Sequence, residues 1–236
     1  MNSYISLDTE ATGLSPKHDK IIEIGAVKVK DGEIVNTFST FINPGRRLPE
    51  NIVSLTGITD DDLKDAPDIS EIIGDFTAFC EDLPLLGHHL ISDYAIIKQA
   101  CVNEKLAFEK DGIDTLRISR AVFPELPSKR LSDMCEHYDI SINAHRALND
   151  AIATHELFVK LFDEFNDKEP ALFEPQKLNH KVKKETPIRK AQIERIKSMC
   201  ERFSVDCPYE IEKLSCNEAS RYIDKLISEY GKQPKP

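Results

Sequence analysis

The stretch Tyr4-Ile5-Ser6-Leu7-Asp8-Thr9-Glu10 is the part of the sequence from which the rest is interpreted. Apolar and polar residues alternate along it, which is the pattern of a half-buried β-strand. The two aliphatic residues fall on one face, whereas Asp8 and Glu10 share the other face at the end of the strand. The stretch therefore predicts a strand that carries two carboxylates into the turn Ala11-Thr12-Gly13-Leu14, where glycine would let the backbone approach a ligand.

The periodicity of the following residues predicts an α/β fold. Residues 21–29 and 34–42 have strand patterns and are joined through 30–33 as a hairpin. Helical spacing recurs in four later segments, and a short buried strand is expected at 83–87; the helical segments are 69–80, 92–101, 131–138 and 144–165. Ser92 is the expected N-cap of the second helix. This order predicts a mixed sheet with an antiparallel hairpin at its edge, flanked by helices.

The composition argues against several classes of protein. Of the 236 residues, 40% are hydrophobic and 31% charged, as in an ordinary soluble globular protein and not in a disordered chain. No apolar run approaches the ~20 residues that span a bilayer, so we expect no membrane association. The N-terminal residues have neither the basic nor the apolar segment of a signal peptide. The six cysteines lack C-x-x-C spacing, so we expect reduced thiols and a cytoplasmic location.

The formal net charge of −10 is the sum of two unlike parts. Residues 176–236 hold 14 basic and 9 acidic side chains, whereas residues 1–175 hold 17 and 32. The basic excess is densest at 176–190, with six positive residues and one negative. Taken as a whole, an acidic chain argues against a nucleic-acid ligand, because phosphate contacts need basic residues. The basic stretch leaves two interpretations open, a solvated linker and an arm that contacts phosphates.

Prolines and the change of charge predict a division into three parts. Pro170 and Pro175 break any helix after residue 165, so we expect a domain at 1–165, a basic linker at 166–186 and a small helical module at 187–236. Thr186-Pro187 predicts the start of the module's first helix. Ser215 and Glu218 form the sequence pattern of a capping box, which predicts the start of its second helix.

Four carboxylates and one histidine are candidates for a catalytic site. They are Asp8, Glu10, Asp93, His145 and Asp150. Carboxylates cannot be packed together unless cations neutralise them, and hard oxygen ligands select Mg²⁺ or Mn²⁺. A histidine beside them can accept the proton of an attacking water. Each residue alone has an ordinary explanation, a solvated strand end or a surface position at a helix start, so the prediction depends on their order and context.

Three segments carry a resemblance to a known family: Asp8–Leu14, Gly87–Asp93 and His145–Asp150. They resemble the three exonuclease motifs of the DnaQ-like DEDDh family, which includes the proofreading ε subunit of bacterial DNA polymerase III. Further matches follow in the family's order, at Phe41–Pro44, Leu55–Thr59 and Ile113–Leu116. The resemblance covers residues 4–165. It implies a ribonuclease H-like mixed sheet and a 3′→5′ exonuclease that releases nucleoside 5′-monophosphates from single-stranded DNA.

The same resemblance assigns roles to individual residues. The four carboxylates would hold two divalent cations, Mg²⁺ or Mn²⁺, and His145 would be the general base. Thr9, Thr12, Gly13 and Leu14 would lie near the 3′-terminal nucleotide, with Leu14 packed on its base and His88 in contact with the strand nearby. The alternatives are a simple turn for Thr12 and Gly13, and core packing for Leu14.

The chain departs from the family's pattern at one position and leaves other questions open. His89 stands where the second motif commonly has asparagine, which puts fine positioning in doubt but removes no metal ligand. Asp114 also matches a family position and is interpreted as structural. The sugar is undecided, so an exoribonuclease is an alternative, as is a subunit that kept the fold and lost catalysis. The candidate partners are single-stranded 3′ ends and a DNA polymerase or another replication or repair protein, although a stand-alone enzyme fits equally well.

Overall fold

A six-stranded mixed sheet forms the centre of the protein. The computed structural model describes residues 3–143 and 145–231. The strands are β1 (Tyr4–Ala11), β2 (Ile21–Lys30), β3 (Glu33–Phe41), β4 (Leu85–Gly87), β5 (Asp111–Asp114) and β6 (Gln176–Lys177). They lie in the order β3-β2-β1-β4-β5-β6. β1, β4 and β5 run parallel to one another, and the other pairs are antiparallel, which confirms the predicted mixed sheet with a hairpin at its edge.

Helices cover both faces of this sheet. They are α1 (Glu50–Thr56), α2 (Asp60–Leu63), α3 (Ile69–Cys80), α4 (Leu90–Asn103), α5 (Thr115–Val122), α6 (Leu131–His137) and α7 (Ala147–Phe165). One core lies between the sheet and α3 and α4, and includes the buried side chains of Ile5 and Leu7. The second core lies against α5, α6 and α7 on the opposite face. The strand that holds Asp8 is thereby fixed on both sides.

A close approach of α7 to β2 places the first turn of α7 over the sheet. Gly25 lies opposite Asp8 in the β1–β2 ladder. A Cβ atom at Gly25 would lie 2.0 Å from the backbone nitrogen of Leu148, so only glycine permits this packing distance. Asp150 is in the same turn of α7, and glycine at this position therefore helps to bring Asp150 to β1.

The structure confirms the predicted hairpin turn and corrects the predicted start of one helix. The hairpin turn is confirmed: Asp31 and Gly32 both have positive φ, as a two-residue turn of this type requires. The predicted N-cap Ser92 is wrong, because α4 begins at Leu90 after His89, whose backbone is left-handed with φ of 71°. Asparagine and histidine are both enriched in that conformation, which gives a physical reason for His89 at this position.

The C-terminal residues form a small helical module with its own apolar core. It contains α8 (Lys190–Phe203), a short 3₁₀ turn at Ile211–Lys213 and α9 (Cys216–Tyr230). Its core includes Ile196, Tyr222 and Leu226. The capping box of Ser215 and Glu218 is confirmed at the start of α9. The predicted helix start at Thr186-Pro187 is wrong, because Pro187 pairs with Ser215 in a β-bridge and α8 begins three residues later.

The module contacts the sheet domain through the loop between β3 and α1. The backbone nitrogen of Arg47 donates to the oxygen of Pro208 (2.8 Å), and the nitrogen of Glu210 donates to the oxygen of Gly45 (2.7 Å). Arg46 forms an ion pair with the buried carboxylate of Glu218. These contacts hold the module on the rim of the sheet domain. The division at 166–186 stays a prediction, and Phe173, within that range, is buried in the second core.

The structure also describes the cysteines and the apolar character of the helices. The six cysteines are free thiols, and three of them, Cys80, Cys101 and Cys135, are buried. Within residues 3–143 and 145–231, no helix combines the length and apolar character needed to cross a bilayer.

Candidate active site

The predicted acidic residues come together at the carboxyl end of β1. Asp8 and Glu10 are on the strand, and Asp93 and Asp150 lie in the first turns of α4 and α7. Both helix residues are 8% exposed. Because β1 is the central strand that α4 and α7 flank, three separate segments of the sequence deliver carboxylates to one place.

Thr9 fixes one of these carboxylates. Its backbone nitrogen donates to Asp93 Oδ1 at 3.0 Å, and its hydroxyl donates to the same oxygen at 2.7 Å. Two donors on one oxygen set the orientation of the Asp93 side chain towards β1. The role of Thr9 in the structure is thus to position a carboxylate, while the predicted contact of Thr9 with a nucleotide stays a prediction.

Burial and mutual repulsion make the cluster costly to ionise. Burial raises the pKa of Asp8 well above its usual range, and the charges of Asp93, Asp150 and Glu10 raise it further. Burial, followed by the charge of Asp150, raises the pKa of Glu10 to about 7. Burial also raises the pKa of Asp93 to about 7, although the hydrogen bonds from Thr9 oppose the shift. The pKa of Asp150 is raised for the same first reason.

His145 lies beside the carboxylates on the loop that leads into α7. A ring nitrogen of His145 and carboxylate oxygens of Glu10 and Asp150 all lie within 4.8 Å of one another, close enough to hold one metal ion. The backbone nitrogen of His145 donates to Asp150 Oδ2 at 3.0 Å. The side chain of His145 is exposed, and its backbone is left-handed with φ of 68°.

The cluster fits a divalent cation by the chemistry of its donors. Asp150 Oδ1 is buried and has no hydrogen-bond partner among the described residues. A buried carboxylate oxygen without a donor is unfavourable unless a cation binds it. Glu10 and Asp150, which have oxygens within 4.8 Å of each other and of a His145 ring nitrogen, supply the hard oxygen ligands that Mg²⁺ and Mn²⁺ prefer. The donors present therefore fit a divalent cation.

Sequence reasoning missed an ion pair between a buried glutamate and a half-exposed arginine that supports this site. Glu23 lies opposite Glu10 in the β1–β2 ladder and is 2% exposed. Its carboxylate accepts from the Arg146 guanidinium at 3.0 Å and from the backbone nitrogen of Ala147 at 3.1 Å. It therefore binds the residue after His145 and the first residue of α7. The signal in the sequence was an acidic residue among the apolar residues at the start of the strand.

The turn after β1 presents an exposed aliphatic side chain at the mouth of a cleft. The carboxylate of Asp19 closes the turn by accepting from the Thr12 hydroxyl (3.1 Å) and the Ser15 nitrogen (2.9 Å). A Cβ atom at Gly13 would lie 2.6 Å from that carboxylate. Leu14 is 99% exposed, so the core-packing alternative is wrong. Thr12 and Gly13 build the turn, and Leu14 projects from it.

The cleft has a volume of about 320 Å³ and joins this turn to the acidic cluster. Glu10, Asp93 and Leu14 line it, and α1 contributes Ile52 and Leu55 from the other wall. Leu55 is 51% exposed, so aliphatic side chains stand on both sides of the opening. The aliphatic walls suit a ligand with a flat apolar part, and the carboxylates would accept a phosphate beside them only with a cation bound.

His88 and Asp114 have structural contacts. Both ring nitrogens of His88 are bonded within the protein, to the Thr115 hydroxyl at 2.9 Å and the Lys129 carbonyl at 2.8 Å. Burial lowers the pKa of His88, which favours the neutral ring. Asp114 Oδ1 accepts from the nitrogens of His89 and Leu116, both at 2.9 Å, and caps α5, as the structural interpretation predicts. A contact of His88 with nucleic acid stays a prediction.

The fold and the acidic site define a class of nucleases, and the chain belongs to the exonuclease family. The family model RNase_T, described as Exonuclease, matches residues 5–158. This match confirms the resemblance predicted from the motifs, and with it the assignment of the chain to nuclease hydrolases.

Curated relatives of the chain include large DNA polymerases. The PolC-type DNA polymerase III of Bacillus subtilis (strain 168) is 41% identical over 170 residues, which cover 70% of this chain and 12% of that protein. The PolC-type enzyme of Clostridium perfringens is 35% identical over 196 residues, 83% of this chain and 14% of that protein. The chain thus spans about an eighth of the length of these relatives.

Solved structures of exonucleases share the fold. E. coli Exonuclease I in complex with a dT13 oligonucleotide superposes with a TM-score of 0.63 at 20% identity, covering 73% of this chain and 43% of that chain. Exonuclease X in complex with 5′ overhanging duplex DNA superposes with a TM-score of 0.57 at 22% identity, covering 69% and 92%. The predicted ribonuclease H-like α/β fold is therefore confirmed.

Proposed function

We propose that this chain is a metal-dependent 3′→5′ exonuclease that removes nucleoside 5′-monophosphates from the 3′ end of single-stranded DNA. The observation that carries the proposal is the cluster of Asp8, Glu10, Asp93 and Asp150, in which Glu10 and Asp93 line a cleft with exposed aliphatic walls. DNA is favoured because the solved relatives include Exonuclease I with a dT13 oligonucleotide and the curated relatives are DNA polymerases.

The four carboxylates would hold two divalent cations, Mg²⁺ or Mn²⁺. When bound, such cations neutralise the cluster and stabilise both the attacking and the leaving oxygen of a phosphodiester. Thr9 keeps Asp93 oriented towards the shared site through its two hydrogen bonds. Glu23 keeps the loop of His145 and the start of α7 in place through Arg146 and Ala147. The chain thus supplies ligands whose positions are fixed before substrate arrives.

His145 would accept the proton of the attacking water. The proposal is supported by the position of its ring nitrogen, which lies within 4.8 Å of oxygens of Glu10 and Asp150. Its side chain is exposed, which allows the proton to pass on to solvent. A general base of this kind contributes ~10²–10⁴-fold to the rate.

The cleft would bind the 3′-terminal nucleotide. Leu14 and Leu55 are exposed on its two sides and would contact the faces of the terminal base. Aliphatic contacts with a base face carry little sequence preference, because every base has an apolar face. Thr12 and Gly13 would hold Leu14 in place through the turn that Asp19 closes. A polymerase or another replication protein is the proposed protein partner, because the relatives are polymerases.

The test uses 5′-labelled single-stranded DNA with Mg²⁺ or Mn²⁺. Wild-type protein should shorten the labelled oligonucleotide from its 3′ end. Mass spectrometry should identify the released product as nucleoside 5′-monophosphate. Asp150→Asn should lower kcat at least ~100-fold through loss of a metal ligand. Asp163→Asn is the matched control, since Asp163 is an exposed aspartate on the same helix. His145→Ala should lower kcat by ~10²–10⁴-fold.

Four outcomes would contradict the proposal. Full activity of Asp150→Asn, or activity that persists in EDTA, would contradict the metal site. Shortening of a matched RNA oligonucleotide at a higher kcat/KM would replace DNA by RNA as the substrate. Binding of DNA without any shortening would identify a subunit that kept the fold and lost catalysis.

A further inference from the structure

The segment after the sheet domain crosses α4 in a fixed path. We call residues 178–187, which connect β6 to the module, the strap. Gln99 Nε2 on α4 donates to the Lys183 carbonyl at 3.0 Å, and the Glu185 nitrogen donates to Asn103 Oδ1 at 3.0 Å. The Glu185 carboxylate also lies 3.4 Å from Lys20 Nζ. The strap is therefore pinned to the sheet domain through its backbone and Glu185, while its lysines remain exposed.

A basic recess of about 620 Å³ lies between the strap and the turn after β1. Four lysines line this basic recess: Lys17 from the turn, and Lys181, Lys183 and Lys184 from the strap. Among residues 3–143 and 145–231, none of these four lysines has a carboxylate oxygen within 4.0 Å. The ion pairs in this part of the chain are formed by other lysines and arginines.

The recess carries little negative charge of its own. Glu185 is the acidic residue among those that line it, and its carboxylate is engaged by Lys20 and by Asn103 Nδ2 at 3.2 Å. The other polar linings are neutral amides, hydroxyls and His180. In a chain with a net charge of −10, this recess is a local concentration of uncompensated positive charge.

The recess adjoins the active-site cleft. Pro16 lines both cavities, with Leu14 on the cleft side and Lys17 on the recess side. A strand whose 3′ end lies against the carboxylates can therefore continue over Pro16 and along the strap. Four lysine ammonium groups without acidic partners are the chemistry that recognises successive phosphates.

We propose that the basic recess binds the phosphodiester backbone of the substrate strand on the 5′ side of the nucleotides held in the cleft. The proposal rests on the function proposed above and assigns to the strap a role beyond that of a linker. Among the described residues that line the recess there is no phenylalanine, tyrosine or tryptophan, so the proposed contact is with phosphates and is independent of base sequence.

The expected effect is on affinity for long substrates and on its dependence on salt. Each phosphate neutralised on a single strand contributes about 0.7 to the slope of log K against log salt. Loss of Lys181, Lys183 and Lys184 should therefore reduce the slope by up to about 2. Between 50 and 200 mM salt, that difference corresponds to roughly a 20-fold smaller loss of affinity in the variant.

The experiment compares two triple variants of the full chain. The test variant is Lys181→Gln/Lys183→Gln/Lys184→Gln. The control removes the same charge on the α5 and α7 side of the sheet, at residues that are exposed and line neither cavity: Arg120→Gln/Lys160→Gln/Lys168→Gln. KM and kcat are measured with dT20 and with dT3 in Mg²⁺. Fluorescence anisotropy with a 3′-phosphorothioate dT20 measures affinity independently of hydrolysis.

The test variant should raise KM for dT20 and flatten the salt dependence, with kcat unchanged and both parameters for dT3 unchanged. A single Lys17→Gln variant should flatten the slope by about 0.7. Equal slopes in the two triple variants would overturn the proposal, as would an effect on dT3 as large as that on dT20. If neither substrate is hydrolysed, the proposed exonuclease function fails, and the anisotropy slopes still decide whether the recess binds the strand.

Discussion

Replacing Glu10 by glutamine should stabilise the metal-free protein at alkaline pH. Burial and the neighbouring carboxylates raise the pKa of Glu10 from 4.5 to about 7. In the folded protein the group thus keeps its proton up to about pH 7, whereas in the unfolded chain it loses the proton near 4.5. The contribution of protonated Glu10 to the free energy of unfolding is therefore fully present below pH 4.5 and is lost as the pH rises through 7.

The size of this effect follows from the shift. One pKa unit corresponds to ~1.4 kcal/mol, so ionised Glu10 costs the folded state about 3 kcal/mol at pH 8 and about 1 kcal/mol at pH 5. Glu10→Gln removes the charge and keeps the size of the side chain. The free energy of unfolding in EDTA should therefore exceed that of the wild type by about 3 kcal/mol at pH 8, and by much less at pH 5.

Urea unfolding in EDTA at the two pH values measures the difference. Glu33→Gln is the matched control, because Glu33 is an exposed strand glutamate distant from the cluster in the sheet order. Added Mg²⁺ should raise the stability of the wild type more than that of Glu10→Gln, since the cation relieves the same repulsion. A gain that is absent at pH 8, or equal at both pH values, would refute the electrostatic reasoning.

Three further variants test the support of the site. Glu23→Gln should lower the free energy of unfolding by ~1–3 kcal/mol and lower kcat, because it leaves Arg146 and the start of α7 with a weaker partner; urea unfolding and initial rates measure the two effects. Gly25→Ala should cost ~1–3 kcal/mol by urea unfolding and reduce kcat, because its Cβ would force α7 away from β2. Leu14→Ser should change stability by less than ~0.5 kcal/mol, since Leu14 is 99% exposed, and should raise KM for single-stranded DNA; unchanged KM would contradict its contact with the base.

Local patterns predicted β1 to β4, but they did not predict the short strands β5 and β6. The alternation in Tyr4–Glu10 depends only on neighbouring residues, and the hairpin turn at Asp31-Gly32 depends on the positive φ that these residues tolerate. The prediction that Asp8, Asp93 and Asp150 belong to one site rested on their order, their local context and the family resemblance, and the structure places them at the ends of β1, α4 and α7.

Features that depend on register between distant segments could not be predicted. Glu23 meets Arg146 only because β2 pairs with β1 in one register and α7 lies close above Gly25. The start of α4 at Leu90 depends on the left-handed backbone of His89, which local propensity did not favour over Ser92. Pro187 lies outside α8 because it forms a β-bridge with Ser215. This contact depends on the packing of α8 against α9.

The attachment of the module has a mechanical consequence. Gly45, Arg46 and Arg47, which bind the module, lie in the same short loop that leads into α1. α1 carries Ile52 and Leu55, one wall of the cleft. A protein that binds α8 or α9 would therefore act on this cleft wall through the loop. It would change the width of the cleft without contacting a carboxylate.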